Sequence, residues 1–250
     1  MNKDNKKRFK YMFIIWILIL AIGLVRKTLQ NDTFYTIKIG ELILNNGIDL
    51  DKFRYNKALR DRIRIENGWH DKLLIGHVGR FSYQKNHNYL IRTFKAVKKY
   101  RHDAMLLLVG EGEREQDIKN LAISLGVIDD IIFFGTIPNV NELMQAMDVF
   151  VLPSHFEGLP IVGVEAQAAG LPSIFATTIS RKAQIANNVV FLDLNEDYDY
   201  WARSIIVASE VEREDTFDIM EKLGFGKKKL VTSFLNIYHK YDRNSDTQIV

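Results

Sequence analysis

Residues 72–109 read "KLLIGHVGRFSYQKNHNYLIRTFKAVKKYRHDAMLLLV". The stretch opens on a short apolar run, Lys72–Val78, and closes on another, Ala104–Val109. Such runs, apolar throughout rather than alternating, are the pattern of strands buried on both faces. Between them Asn88–Tyr100 carries a helical pattern. A strand, a helix and a strand joined by short connections form a right-handed crossover unit with parallel strands.

The same rhythm continues outward. "IIFFG", "VFVLP", "PSIFA" and "VVFL" are further short apolar runs bounded by Gly, Pro or charge. Helical patterns fill the gaps at Arg114–Leu125, Asn139–Met147, Val162–Ala169 and Tyr198–Ser209, with a closing helix at about Lys227–Lys240. The expected fold is α/β, a doubly wound parallel sheet over residues 71–243, followed by a tail at 244–250. Residues 31–70 break the rhythm. "NNGIDLDKFRYN" has turn chemistry followed by charge, and the segment reads as a linker into the domain.

The chain has 250 residues, 47% hydrophobic and 26% charged, a globular composition large enough for one full core. A net charge of +3 is too small for a nucleic-acid binder, which concentrates basic residues on one face. With no cysteine, disulfides and thiolate-ligated zinc are excluded.

The first 30 residues differ from the rest. A basic segment containing Lys3, Lys6, Lys7, Arg8 and Lys10 precedes the uninterrupted apolar run Tyr11–Val25, which Arg26 and Lys27 close. As a helix this run spans about 22 Å, short of the roughly 30 Å hydrocarbon core. A short anchor, a signal-peptide core and a helix lying in the interface compete, and no small-residue cleavage site follows the run. The expectation is membrane attachment through a hydrophobic helix. The charge bias would place the bulk of the chain outside the cytoplasm. A helix lying in the cytoplasmic interface resolves that conflict, and so does a first segment taken from another, polytopic membrane protein.

In open parallel sheets, ligands bind beyond the carboxyl ends of the strands. "GRFSYQKNH" follows the first strand and carries Arg80 and Lys85; "GEG", Gly110–Gly112, follows the second and opens a helix. "FFGTIPN" ends the third strand and "PSHFEGLP" the fourth. Glycines, two cations and a carboxylate on converging loops suit a polyphosphate: Arg80 can grip two oxygens, and Lys85 adds a point charge. Gly158 and the residues after it are expected to open a helix whose amides favour an anion. Glu157 and Glu165, eight positions apart in "EGLPIVGVEA", are two carboxylates in an otherwise apolar stretch. As a surface loop, a helix cap and a solvated face, these residues would carry no chemistry; their placement at strand ends favours a site.

Glu157, seven intervening residues and Glu165 resemble the E-x7-E motif of family 4 glycosyltransferases of the GT-B fold. "HVGRFSYQKNH", "LLLVGEGE", "IIFFGTIPNVNELMQAMDVFVLPS" and "EAQAAGLPSI" are similar to that family's donor-binding domain in order and spacing, from about Leu44 to Lys240. The resemblance implies a retaining transferase using a nucleotide diphosphate sugar, a UDP-sugar in the main, for capsule or exopolysaccharide synthesis. It implies that Arg80 and Lys85 hold the diphosphate, that Glu165 takes the ribose hydroxyls and that Glu157 faces the donor sugar. It further implies that the amides of Gly158 and Leu159 bind phosphate and that Gly135–Pro138 frames the base. The acceptor would be a saccharide or a lipid-linked saccharide, the place of work the cytoplasmic face of a membrane.

The family's complete enzymes carry a second, acceptor-binding domain, for which only about forty residues stand here. A separate chain supplying that half, or a non-catalytic, membrane-attached nucleotide-sugar-binding module, is the alternative. Thr177 stands where the resemblance leads one to expect an aspartate, and Asn86 where it has glycine. The triplets Asp49–Asp51 and Asp197–Asp199 match a metal-binding D-x-D pattern, but neither follows a strand in the setting such a site needs, and no metal or other cofactor is expected. Arg92, Lys95, Lys98, Lys99 and Arg101 form a basic helix face that reads as solvated, with anionic lipid as the alternative. A dinucleotide-dependent oxidoreductase is disfavoured because no G-x-G-x-x-G follows the first strand.

Overall fold

The computed structural model describes residues 48–226 and Thr232. Residues 48–226 belong to one compact unit. Its elements run α1 (Leu50–Phe53), α2 (Lys57–Glu66), β1 (Leu73–Val78), α3 (His87–Tyr100), β2 (Ala104–Val109), α4 (Glu115–Ser124), β3 (Ile131–Phe133), α5 (Val140–Ala146), β4 (Val149–Leu152), α6 (Ile161–Ala168), β5 (Ser173–Ala176), β6 (Val189–Leu192), α7 (Tyr198–Ser209) and α8 (Phe217–Leu223).

All strand pairs are parallel and the order is β3-β2-β1-β4-β5-β6. The chain winds outward from β1 through β2 to β3, then returns to the other side of β1 for β4. The crevice between β1 and β4 is therefore the topological switch point, where ligands of such sheets bind.

Alternation along the strands divides the core. Leu73 and Ile75 of β1, with Leu106 and Leu108 of β2, pack under Leu90, Ile91, Phe94 and Val97 of α3 and Trp201 of α7. Leu74, Leu107, Phe150 and Phe175 point the other way, under Met144, Met147 and Ala166. Each fully buried leucine or phenylalanine contributes about 2 kcal/mol. Both faces are covered, which is why the strand sequences show no polar alternation. Gly76 of β1 leaves the room that Met147 fills: a Cβ there would lie 2.0 Å from Sδ.

The linker expectation does not describe residues 48–70. Within that span α1 and α2 fold into the compact unit, and Ile48 and Leu50 pack with Val164, Ala168 and Met220. The cause is a polar bond set. Arg60 donates to the carbonyls of Gln145, Ala146 and Met147, and Arg64 donates to those of Ala146 and Lys72. Both pair with Asp148, as does the backbone amide of Leu74. Arg213 adds bonds to Met144, Gln145 and Met147. Three guanidinium groups thus satisfy the orphan carbonyls at the C-terminal end of α5, where the helix dipole favours cations.

The Tyr11–Val25 run and, apart from Thr232, the closing helix at 227–240, like the tail, lie outside the described residues. Among the described residues no helix is long and apolar enough to cross a membrane.

Candidate active site at the switch-point crevice

The loops after β1 and β4 flank the crevice. They are bonded to each other through groups 70 or more positions apart. His155 donates its amide to the Gln84 carbonyl at 2.8 Å, and Gln84 Nε2 donates to the Phe156 carbonyl at 3.1 Å. Lys85 Nζ lies 2.7 Å from Glu157 Oε1, with side chains only 14% and 10% exposed. Ser154, fully buried, donates its hydroxyl to Glu157 Oε1 at 3.2 Å. One oxygen of Glu157 is thus held twice. Its partner ammonium has three N–H donors, of which Glu157 takes one.

The rim extends to both sides. Thr178, after β5, donates its hydroxyl to the Ser154 carbonyl at 2.6 Å, and Glu157 forms a parallel bridge with Ile179. On the other side Phe81 accepts from Arg114 N and donates its own amide to the Glu111 carbonyl. Glu111 Oε1 in turn accepts from Thr136 N at 3.2 Å, and Gly110 N donates to the Gly135 carbonyl at 2.8 Å. Five loops from five adjacent strands are therefore tied into one edge.

The glycines after β2 do a different task from the one expected. Gly110 has φ +130°, and a Cβ there would lie 2.3 Å from the Gly79 carbonyl oxygen. A Cβ on Gly112 would lie 2.5 Å from the Phe81 oxygen. They permit close contact between neighbouring loops, and α4 begins only at Glu115. The expected helix start at Gly158 also shifts. Pro160 stands at the cap and α6 starts at Ile161, because proline restrains the residue before it from helical geometry. Gly158 and Leu159 form the exposed turn ahead of the helix.

Arg80 sits on the same loop as Lys85 but faces solvent, with a side chain 74% exposed and Nη2 3.1 Å from Glu113 Oε2. Glu165 is half-buried in the second turn of α6. Gly135, φ +64°, and the exposed Pro138 follow β3, two strands from β1. The structure so joins Lys85 with Glu157 directly and carries Arg80 and Gly135–Pro138 on the same edge. Reading the sequence did not single out Ser154, Glu111 or Glu113. A hydroxyl three residues before Glu157, and acids in "GEGE" facing a loop with Arg80, were the signals available.

Beneath the Lys85 loop lies an aromatic column. Phe81 stacks on His87 at 4.2 Å, and His87 meets His77 edge-on at 4.6 Å. His77 Nδ1 donates to the Val151 carbonyl at 2.8 Å, which fixes the tautomer, since a carbonyl only accepts. Its Nε2 and both His87 nitrogens have no partner among the described residues. Burial lowers His77 to about 4, against the opposing Val151 bond and with some help from Lys85. Burial, then His77 and Lys85, lowers His87 to about 2. Both are neutral at ordinary pH, so neither places a second positive charge beneath Lys85.

The D-x-D triplets are occupied structurally. Asp197 caps α7 through Tyr200 N, Asp199 pairs with Lys99, and Asp49 with Lys52. Among the described residues no group of three or more histidines and carboxylates is placed to hold a metal ion.

Residues 60–229 match the family model of the glycosyl transferases group 1. The chain belongs to that family. This group 1 chain is 37% identical over 202 residues to EpsF of Bacillus subtilis (strain 168), named as a glycosyltransferase, covering 79% of this chain and 53% of that one. It is 29% identical over 215 residues to the UDP-Gal:alpha-D-GlcNAc-diphosphoundecaprenol alpha-1,3-galactosyltransferase of Escherichia coli, covering 83% of this chain and 53% of that one. The group 1 chain thus spans about half the length of these relatives. In fold it is similar to Anabaena Alr3699/HepE, crystallised with UDP-glucose, at a TM-score of 0.66 and 18% identity, over 78% of this chain and 56% of that one.

Proposed function

We propose that this chain is the donor-binding half of a family 4 type glycosyltransferase that takes a UDP-sugar and transfers the sugar with retention of configuration. The observation that carries the reading is the Lys85–Glu157 pair, held by Ser154 at the switch-point crevice of a group 1 sheet. In this reading Lys85 turns its remaining donors to the diphosphate, and Arg80 exchanges Glu113 for a bidentate grip on it. Both stabilise the negative charge that grows on the leaving diphosphate. The amides of Gly158 and Leu159 add donors at the mouth of α6. Glu165 accepts from the ribose hydroxyls, and the Gly135–Pro138 turn frames the base. Glu157, paired with Lys85, faces the donor sugar and counters positive charge at the anomeric carbon. Cationic side chains fill the place of a metal, and no metal is required.

The acceptor is a saccharide or lipid-linked saccharide of capsule or exopolysaccharide synthesis. The E. coli relative's name, which specifies a diphosphoundecaprenol-linked substrate, supports a membrane setting. Attachment through Tyr11–Val25 would keep the site on the cytoplasmic face. The alternative reading is a non-catalytic, membrane-attached nucleotide-sugar-binding module. Calorimetry of the full chain with UDP and UDP-glucose tests the first part: binding weakened at least tenfold in Arg80→Ala supports it, and no heat at millimolar nucleotide refutes it. Transfer of labelled glucose or galactose by the purified chain would exclude the second reading.

A further inference from the structure

Two rings stand beside the Lys85–Glu157 pair, each two residues from one of its members. Tyr83 and His155 are stacked, with centroids 4.4 Å apart and planes inclined by 20°. Tyr83 is 62% exposed, so one face of the phenol is spent on the imidazole and the other meets solvent. Phe156 and Leu159 are exposed at the same rim, by 56% and 45%. Large apolar side chains clustered in the open mark a surface meant for contact. The ring pair is also held in place, because the His155 amide and the Gln84 side chain cross-link the two loops that carry it. The aromatic face is therefore preorganised rather than mobile.

We propose that the free face of Tyr83, braced by His155, is a stacking platform for a pyranose ring, either the sugar of the donor or that of the acceptor. A pyranose has a C–H face and a rim of hydroxyls. An electron-rich aromatic face suits the first, and an ammonium and carboxylate beside it suit the second. A nucleobase would stack equally well on such a ring. The turn assigned to the base follows β3, however, and β2 separates β3 from β1. Two strand spacings put that turn about 10 Å from the Tyr83 loop along the sheet. The phenolic hydroxyl is an added donor and acceptor at the ring's edge, not the source of the stacking. This inference rests on the donor-site reading but assigns a contact that reading leaves open.

The test is ligand-observed saturation-transfer NMR on the full chain with Tyr83→Phe and Tyr83→Leu. Leucine keeps apolar bulk and removes the ring face, and an exposed position tolerates either change; circular dichroism checks the fold. If the donor sugar stacks, UDP-glucose loses roughly threefold to tenfold in affinity in Tyr83→Leu and none in Tyr83→Phe, while UDP alone stays within twofold. If the acceptor sugar stacks, UDP-glucose is unaffected, and saturation of methyl α-glucoside or methyl α-galactoside, with or without UDP, disappears only in Tyr83→Leu. Unchanged binding in both arms overturns the platform while leaving the donor site standing. A wild-type chain that binds no UDP refutes the donor site instead. The glycoside arm then decides alone, and absent saturation there overturns the platform as well.

Discussion

Lys85 and Glu157, 72 residues apart in sequence, meet at 2.7 Å on the two loops that flank the switch point of the sheet, both nearly out of solvent. A buried pair is costly to break from one side, because the survivor is left charged and unpaired. Lys85→Met should lower unfolding free energy by about 3 kcal/mol. The double change Lys85→Met/Glu157→Leu should recover most of that. Urea denaturation of the two singles and the double gives the coupling; simple additivity would show that the pair is not a unit.

Arg80 is the contrasting cation. Its partner Glu113 is 56% exposed and Arg80 more so, and such surface pairs contribute about 0.5 kcal/mol or less. Arg80→Ala should leave the urea midpoint almost unmoved while weakening UDP binding at least tenfold. A large loss of stability would mean the residue is structural.

Gly110 should resist substitution for a geometric reason. Its φ of +130° and the Gly79 oxygen 2.3 Å from any Cβ act together, so Gly110→Ala should cost at least about 2 kcal/mol. Gly126, φ +64° with open space around it, isolates the backbone part, and Gly126→Ala should cost about 1 kcal/mol. Equal costs would remove the loop contact as the cause.

The two buried histidines give a pH dependence with a definite sign. They bind protons near pH 6.5 when unfolded but only at about 4 and about 2 when folded. Their effect on stability is absent above pH 6.5, and stability falls as pH drops from there toward 4, because the unfolded chain takes up the protons. Urea midpoints between pH 7.5 and 5 should decline, and His87→Phe should flatten the decline by up to about one proton. A midpoint that rose on acidification would contradict the burial.

The sheet was legible because its strands are continuous apolar runs: "AMLLLV" and "VVFL" coincide with β2 and β6 to the residue, even though Val190 of the edge strand β6 is exposed. Tyr198–Ser209 is likewise the span of α7, where Asp197 supplies a capping signal. α2 was not legible. Its sequence, "KALRDRIRIE", offers little apolar face, and what holds it is Arg60 and Arg64 reaching carbonyls more than 80 positions away. Local patterning has no access to such bonds. The candidate site shows the same division. Motif order indicated which loops matter, whereas the Ser154 bond to Glu157 and the contact duty of Gly110 and Gly112 depend on loop proximity that only the folded chain reveals.

The guanidinium cluster on the α5 carbonyls has a practical bearing on where this unit can be cut. A gene fragment starting at residue 71, just past Arg60 and Arg64, would strip two of the three cations that close that helix end, and with them the buried Trp69, whose ring meets Phe134 edge-on. Such a product should be recovered mainly from inclusion bodies, whereas one starting at residue 48 keeps the helix end plugged.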